Sequence, residues 1–189
     1  MSDKLPSAGY QALQRYIEAL YRAAGLSKAD ADICADCTVR TNLWGVDSHG
    51  VLRTAAYIER ILAKAVNPTP KVRFTAAKDG PLSLMDGDAG MGYVVATLAM
   101  KEAMAKARKF GFGAILVKNS NHFGAASLFA RMASDAGMLG IATTNALDGR
   151  WKFILPGNPG NLGPDPLTNT ISVALPSGAS RLAFPVAVK

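Results

Sequence analysis

The stretch Ala114-Ile115-Leu116-Val117-Lys118-Asn119-Ser120-Asn121-His122-Phe123-Gly124 carries one of the chain's two histidines from a predicted strand toward a predicted helix. Its apolar, β-branched beginning at 114–117 is typical of a buried strand, and residues 125–136 are typical of a helix. His122 is therefore expected at the carboxyl end of a strand, where α/β proteins commonly bind ligands. An imidazole there can donate and accept protons near neutral pH. The alternative is that His122 only caps the helix or packs against Phe123.

The second histidine lies in the polar segment Trp44-Gly45-Val46-Asp47-Ser48-His49-Gly50, between helices predicted at 29–43 and 51–65. Arg53 falls in the first turn of the second helix, so its guanidinium is expected to point back toward the loop that carries His49. An arginine so placed can bind a carboxylate through two parallel hydrogen bonds. The alternative is a surface arginine paired with Glu59 or another acid.

The N-terminal part of the chain has a helical pattern. Apolar residues recur every three or four positions over 6–24, and Ser27 is a predicted N-cap for the next helix. Asn67-Pro68-Thr69-Pro70 then interrupts the helical pattern. The sequence thus predicts a helical N-terminal subdomain at 1–68 and an α/β domain at 69–189.

The second part mixes strands with helices. A turn at 78–81 joins two predicted strands into a hairpin, and a long helix is predicted at about 93–109. The glycine-rich run at 86–93 does not match a dinucleotide fingerprint, because Val95 occupies the third glycine position and a hairpin precedes the run. We expect these glycines to allow close packing between a helix and a strand.

Two later segments are expected to lie near the site. A strand predicted at 139–144 ends in Thr143-Thr144-Asn145, which falls beside the His122 loop if the two strands are neighbours. The segment 156–166 is too rich in proline and glycine for regular structure, and a long loop of this kind is more often functional than not.

Composition narrows the range of partners. The 189 residues are 49% hydrophobic, enough for a substantial core, and 21 basic against 14 acidic residues give a net charge of +7. The charges are scattered, and no aromatic-interleaved basic patch accompanies them. We therefore expect carboxylate or phosphate ligands and no nucleic acid.

The two cysteines, Cys34 and Cys37, fall within a predicted helix. No second Cys or His pair completes a metal site, and the residues between them do not form a thioredoxin motif. Buried reduced thiols are the favoured interpretation over a redox or metal role. Because the N-terminus carries no signal region and no segment is long enough to span a membrane, a reducing cytoplasmic location is expected.

Three motifs together resemble one known family. They are Val46-Asp47-Ser48-His49-Gly50-Val51-x-Arg53 with Tyr57, Asp86-Gly87-Asp88-x-Gly90-x-Gly92, and Asn119-Ser120-Asn121-His122-Phe123-Gly124-Ala125. Their order and spacing are similar to those of the type 2 malate/L-lactate dehydrogenase family, which also contains ureidoglycolate, sulfolactate and diketogulonate oxidoreductases. The resemblance covers about residues 10–178.

The resemblance implies an NAD- or NADP-dependent oxidoreductase that interconverts small 2-oxo acids and 2-hydroxy acids and works as a homodimer through its helical subdomain. It implies a non-Rossmann cofactor domain with a largely antiparallel or mixed sheet. His122 and His49 are the implied acid/base residues, Ser48 assists the proton relay and Arg53 holds the substrate carboxylate. The implied cofactor-binding residues are Asn119, Ser120, Gly124, Asn145, Gly163, Asp165, Pro166 and Leu167.

Two features depart from that family. Asp165 stands where the family normally has asparagine, and a carboxylate near the cofactor phosphates is expected to weaken binding. Family members are also nearly twice as long, so the α/β domain is expected to be incomplete at its C-terminus. The alternative to an enzyme is therefore a truncated, non-catalytic remnant that only dimerises or binds a partner.

Overall fold

The structure is a computed structural model, and it describes residues 8–76, 79–144, 151–154, 169–174 and 182–187. Helices and strands alternate in the larger part of the chain, as predicted for an α/β protein. The helices are α1 (Tyr10–Ala23), α2 (Lys28–Leu43), α3 (Thr54–Leu62), α4 (Gly92–Phe110) and α5 (Ser127–Asp135). The strands are β1 (Arg73–Ala76), β2 (Leu82–Gly90), β3 (Phe112–Ser120), β4 (Leu139–Thr143), β5 (Trp151–Ile154), β6 (Asn169–Ala174) and β7 (Leu182–Ala187).

The N-terminal helices follow the predicted pattern. Ile17 and Tyr21 on α1 are buried, and α1 packs against α2. The Ser27 side chain accepts a hydrogen bond from the Asp30 backbone N–H at 3.1 Å, which confirms the predicted N-cap. The division of the chain at residue 68 stays a prediction.

The helix predicted at 51–65 is shorter than expected. Residues Asp47–His49 and Val51–Arg53 form two 3₁₀ turns, and α3 begins only at Thr54. The backbone at Gly50 is non-helical, with φ −95° and ψ −138°, and the Asn42 side chain accepts the Val51 N–H at 2.5 Å. Because the Asn42 side chain accepts the Val51 N–H, this N–H is not part of a regular helix. Residues 47–53 therefore form a loop of two 3₁₀ turns before α3.

The sheet is mixed, which confirms one of the two predicted alternatives. Its seven strands lie in the order β1-β2-β3-β7-β4-β6-β5. Strands β1 and β2 pair antiparallel, as the predicted hairpin requires, and so do β4 and β6. The β2–β3, β3–β7, β4–β7 and β5–β6 pairs are parallel, so the sheet is not largely antiparallel.

Strand β2 is longer than predicted and belongs to two motifs. It runs on to Gly90 with an irregular register between Asp86 and Gly90, where Asp88 and Ala89 have positive φ angles of 50° and 54°. It is the second strand of the hairpin and also the first strand of a parallel β2-α4-β3 unit. The hairpin was therefore not a sound reason to exclude a βαβ unit at this position.

Helices α4 and α5 cover one face of the sheet. A Cβ at Gly113 would overlap the Ala103 carbonyl oxygen on α4, and a Cβ at Gly140 would overlap the Ala130 carbonyl oxygen on α5. These two glycines let each helix approach its strand closely. Ile115 on β3 is fully buried. In the part of the chain that the structure describes, no helix is long and apolar enough to cross a membrane.

Candidate active site

His122 lies in the loop between the end of β3 at Ser120 and the start of α5 at Ser127. Its Nδ1 atom lies 2.6 Å from the Tyr57 hydroxyl and 3.4 Å from the Gly124 backbone N–H. Because a backbone N–H can only donate, Nδ1 is the acceptor and the ring proton is assigned to Nε2. Phe123 stacks on Phe129 with ring centroids 5.1 Å apart, so it packs into the core and not against His122.

The other histidine motif meets His122 in space. His49 ends the first 3₁₀ turn, and its ring stacks on that of His122 with centroids 5.6 Å apart and planes 28° apart. The Ser48 hydroxyl lies 2.9 Å from His49 Nδ1, and the Tyr93 hydroxyl donates to the His49 carbonyl oxygen at 3.1 Å. The structure therefore brings together the predicted catalytic residues Ser48, His49 and His122.

Arg53 points back toward the His49 loop, as its spacing predicted. Its Nε donates to the Ser48 carbonyl oxygen at 2.7 Å. Within residues 8–76 and 79–144, Arg53 has no acidic partner, so the alternative pairing with Glu59 is not observed. Its two terminal nitrogens remain as donors for a carboxylate.

Two residues of the site, Tyr57 and Arg60, were not assigned a functional role from the sequence, although Tyr57 belongs to the first motif. Tyr57 contacts His122, and Arg60 Nη2 donates to the Asn121 side-chain oxygen at 2.8 Å. Arg53, Tyr57 and Arg60 follow one another at spacings of four and three residues, which places them on one helix face. That spacing was the sequence signal that could have grouped the three residues. Their contact with a loop some sixty residues away cannot be predicted from the residues near them in the sequence.

The electrostatic environment keeps both histidines neutral. Desolvation lowers the pKa of His122 to about 4, with smaller contributions from His49, Arg53 and Arg60. The pKa of His49 is lowered as well, first by burial and then by Arg53. His122 is solvent-exposed as a residue, so it stays accessible to a ligand. Burial raises the pKa of Tyr57 to about 12, so this hydroxyl keeps its proton.

The glycine-rich motif supports the His122 loop. The Asn121 side-chain amide donates to the carbonyl oxygens of Ala89 at 2.8 Å and Gly90 at 3.1 Å. At Gly92 the first turn of α4 lies so close to the loop that a Cβ would overlap the Asn121 and His122 carbonyl oxygens. The glycines therefore serve close packing, as expected.

The predicted cofactor residues are only partly described. The Asn119 side chain donates to both carboxylate oxygens of Asp86 at 3.1 Å, and Gly124 has a positive φ of 69° beside the Tyr93 ring. Ser120 lines a small cavity, treated below. Asn145, Gly163, Asp165, Pro166 and Leu167 lie outside the described residues, as does the predicted functional loop at 156–166.

A small, mostly apolar cavity lies next to the His122 loop, and it bears on where a polar group of a nicotinamide dinucleotide would bind. It measures about 30 Å³ and is lined by Ser120, Asn121, Thr143 and Thr144 together with apolar side chains. The Thr143 hydroxyl oxygen is buried without a hydrogen-bond partner in the described part of the chain. The cavity has room for about one water molecule, so it does not hold a dinucleotide. A single hydroxyl or amide group of a dinucleotide bound beside the loop would satisfy the Thr143 hydroxyl. Strand β7 separates β3 from β4, so the strand ends meet here without being neighbours in the sheet.

The cysteines play no part in the site. Cys34 and Cys37 are free and buried, and burial raises the pKa of both thiols. This confirms the interpretation of buried reduced thiols, because a thiol that keeps its proton is unreactive.

Comparison with known proteins places the chain and its fold in one family. The family model described as malate/L-lactate dehydrogenase matches residues 9–187. The chain is 44% identical over 123 residues to malate dehydrogenase of Pyrococcus abyssi, a match that covers 65% of this chain and 33% of that protein. It is 38% identical over 122 residues to L-sulfolactate dehydrogenase of Methanocaldococcus jannaschii, covering 64% of this chain and 35% of that protein.

The solved structure of malate dehydrogenase from Pyrococcus horikoshii OT3 superimposes with a TM-score of 0.77 at 34% identity, over 90% of this chain and 47% of that chain. The match thus spans about half of that structure and about a third of the two curated relatives. The chain belongs to the malate/L-lactate dehydrogenase family.

Proposed function

We propose that this chain forms the substrate site of an NAD- or NADP-dependent oxidoreductase that interconverts 2-oxo acids and 2-hydroxy acids, with His122 as the proton donor and acceptor. The observation that carries the proposal is the His122 ring, fixed at Nδ1 by Tyr57 and flanked by the unpaired cation of Arg53. Relatives named malate and sulfolactate dehydrogenases support the reaction type.

The side chains act on the carboxylate and on the proton. Arg53 binds the substrate carboxylate with its terminal nitrogens, while its Nε stays bonded to the Ser48 carbonyl oxygen. The bound anion offsets the positive charge near His122 and so raises the pKa of the ring. In the protonated ring, Nδ1 donates to the Tyr57 hydroxyl and Nε2 faces the substrate oxygen.

Proton transfer then occurs at His122 Nε2. A bound nicotinamide supplies the hydride in reduction and accepts it in oxidation. During reduction, the protonated ring donates its Nε2 proton to the oxygen that gains negative charge and keeps its other proton on Nδ1, where it is donated to the Tyr57 hydroxyl. During oxidation, the ring proton lies on Nδ1 while the 2-hydroxy acid is bound, so that Nε2 accepts the hydroxyl proton. His49, stacked on His122 and bonded to Ser48, extends this proton path to the Ser48 hydroxyl.

Several further features are part of the same proposal. The cofactor is held by Asn119, Ser120, Gly124, Asn145, Gly163, Asp165, Pro166 and Leu167. The Thr143 hydroxyl is buried without a hydrogen-bond partner among the described residues, which supports the placement of a polar group of the ligand next to Ser120. The active form is a cytoplasmic homodimer that uses the helical subdomain.

The test follows NADH and NADPH absorbance with oxaloacetate and pyruvate as substrates. The wild-type chain is expected to turn over at least one of them, and His122→Ala is expected to abolish turnover. Lys101→Ala, on the exposed side of α4, is the matched control that keeps full activity. Unchanged turnover in His122→Ala would contradict the proposal.

The competing function is a non-catalytic chain that dimerises or binds a partner. This function was left open by the sequence, and the match covers 33% to 47% of the length of the relatives named above. A folded wild-type chain without turnover on either substrate would support this function. A stable monomer in sedimentation would count against a chain that only dimerises.

A further inference from the structure

Two unpaired arginines flank the histidine pair. Arg53 and Arg60 are seven residues apart, so α3 and the preceding turn place them two helical turns apart on one face. Neither has an acidic partner among residues 8–76 and 79–144. Two positive charges near the His122 ring favour an anionic ligand at this place.

Arg60 is held in place by the loop that carries His122. Its Nη2 donates to the Asn121 side-chain oxygen at 2.8 Å, and Asn121 is itself fixed by the carbonyl oxygens of Ala89 and Gly90. The remaining guanidinium N–H groups have no partner in the described ranges, so they stay available to a ligand. Both arginines bond to neighbours of the histidine pair, Arg53 to the Ser48 carbonyl oxygen and Arg60 to the Asn121 side chain.

We propose that Arg60 is a specificity-determining residue, which binds the second anionic group of a dianionic 2-oxo or 2-hydroxy acid while Arg53 binds the carboxylate next to the reacting carbon. The inference rests on the proposed function of the site. Two helical turns separate the Cα atoms by about 10 Å. Arginine side chains from that distance can converge on the two ends of a four-carbon diacid. A second carboxylate or a sulfonate has the charge and the acceptor oxygens that a guanidinium recognises.

The experiment measures binding without cofactor, so that it does not depend on turnover. The His122 ring signal is followed by NMR while L-malate or L-lactate is added to the wild-type chain, Arg60→Gln and Lys101→Gln. The wild type is expected to bind malate about tenfold more tightly than lactate, the factor expected of one charge-assisted contact in a partly exposed site. Arg60→Gln is expected to remove this preference and leave lactate binding unchanged.

The controls separate charge from position. Lys101→Gln removes one exposed positive charge from α4 and is expected to keep the malate preference. Arg60→Lys keeps the charge without the planar fork, and it is expected to restore part of the preference. Amide spectra establish that each variant is folded.

The outcomes distinguish this inference from the proposed function. Arg60-dependent malate preference without turnover upholds the inference and overturns the enzymatic proposal. An unchanged malate preference in Arg60→Gln, or a wild type that does not bind malate, overturns the inference. It is also overturned if Arg60→Gln weakens binding of AMP and not of malate, because Arg60 would then serve a cofactor phosphate.

Discussion

The two histidines of the site are held in different ways. His122 Nδ1 lies 2.6 Å from the hydroxyl of the buried Tyr57, whose pKa is raised to about 12 by burial. His49 Nδ1 lies 2.9 Å from the hydroxyl of Ser48, which is exposed on a 3₁₀ turn. A buried partner from another element fixes ring orientation and tautomer, whereas an exposed neighbour on the same turn fixes them less. On the basis of this difference we propose His122 as the proton-transfer residue and His49 as the assisting one.

The largest expected effect separates the two histidines. His122→Ala is expected to lower kcat by about 10³-fold, the range for loss of a general acid, whereas His49→Ala is expected to lower it by about tenfold. Steady-state NAD(P)H oxidation with oxaloacetate measures both. A larger loss in His49→Ala would reverse the assignment.

Gly92→Ala tests how closely the first turn of α4 packs against the His122 loop. A Cβ would overlap the Asn121 and His122 carbonyl oxygens, so we expect a loss of about 2 kcal/mol in the free energy of unfolding. Denaturant unfolding measures this change. Gly80→Ala, where no atom lies within 4 Å of the added Cβ, is the control and is expected to be nearly neutral. Equal stabilities for the two variants would contradict the close packing at Gly92.

Tyr57→Phe removes the hydroxyl that orients His122 and keeps the ring that packs against Tyr93. We expect kcat to fall by about tenfold with little change in KM, because the acid/base residue is misoriented while Arg53 still binds substrate. The pH profile of kcat is expected to shift as well. Tyr10→Phe, whose hydroxyl contacts Asp36 away from the site, is the control. A rise in KM alone would show that Tyr57 acts on binding.

The smallest expected effect is the pH dependence that His122 gives to the free energy of unfolding. The pKa of His122 is lowered from the ordinary value of 6.5 to about 4, so the unfolded chain binds a proton more readily than the folded chain. The stability due to this residue is fully present above pH 6.5 and is lost as the pH falls toward 4. His122→Gln is expected to flatten this part of the stability curve, and unfolding measured at several pH values checks it. An identical slope in the variant would exclude the contribution.

Part of the fold follows from local sequence signals. Ser27 and its capped helix, the β1–β2 hairpin and the junction between β3 and α5 each depend on residues close together in the chain. The direction of the Arg53 side chain, which donates to the Ser48 carbonyl oxygen, was also predicted from helical spacing.

The rest depends on contacts between distant segments. Strand β7 inserts between β3 and β4, and no pattern near either strand indicates it. The contact between Tyr57 and His122 joins two motifs that the resemblance listed separately, and only the fold shows that they share a hydrogen bond. The extension of β2 to Gly90 was not predicted, because the run at 86–93 is rich in glycine and aspartate, as loops are. Asp88 and Ala89 within it have positive φ angles, which a regular strand does not have.

The central claim is that Tyr57 and the Gly124 backbone fix His122 in one neutral tautomer. Nitrogen-15 NMR of the imidazole ring tests it most directly, with Tyr57→Phe as the comparison. In the substrate-free chain at pH 7 we predict a neutral His122 ring in the wild type with its proton on Nε2, and a mixture of tautomers in Tyr57→Phe. A proton resident on Nδ1, or a charged ring, in the substrate-free wild type at pH 7 would contradict the account.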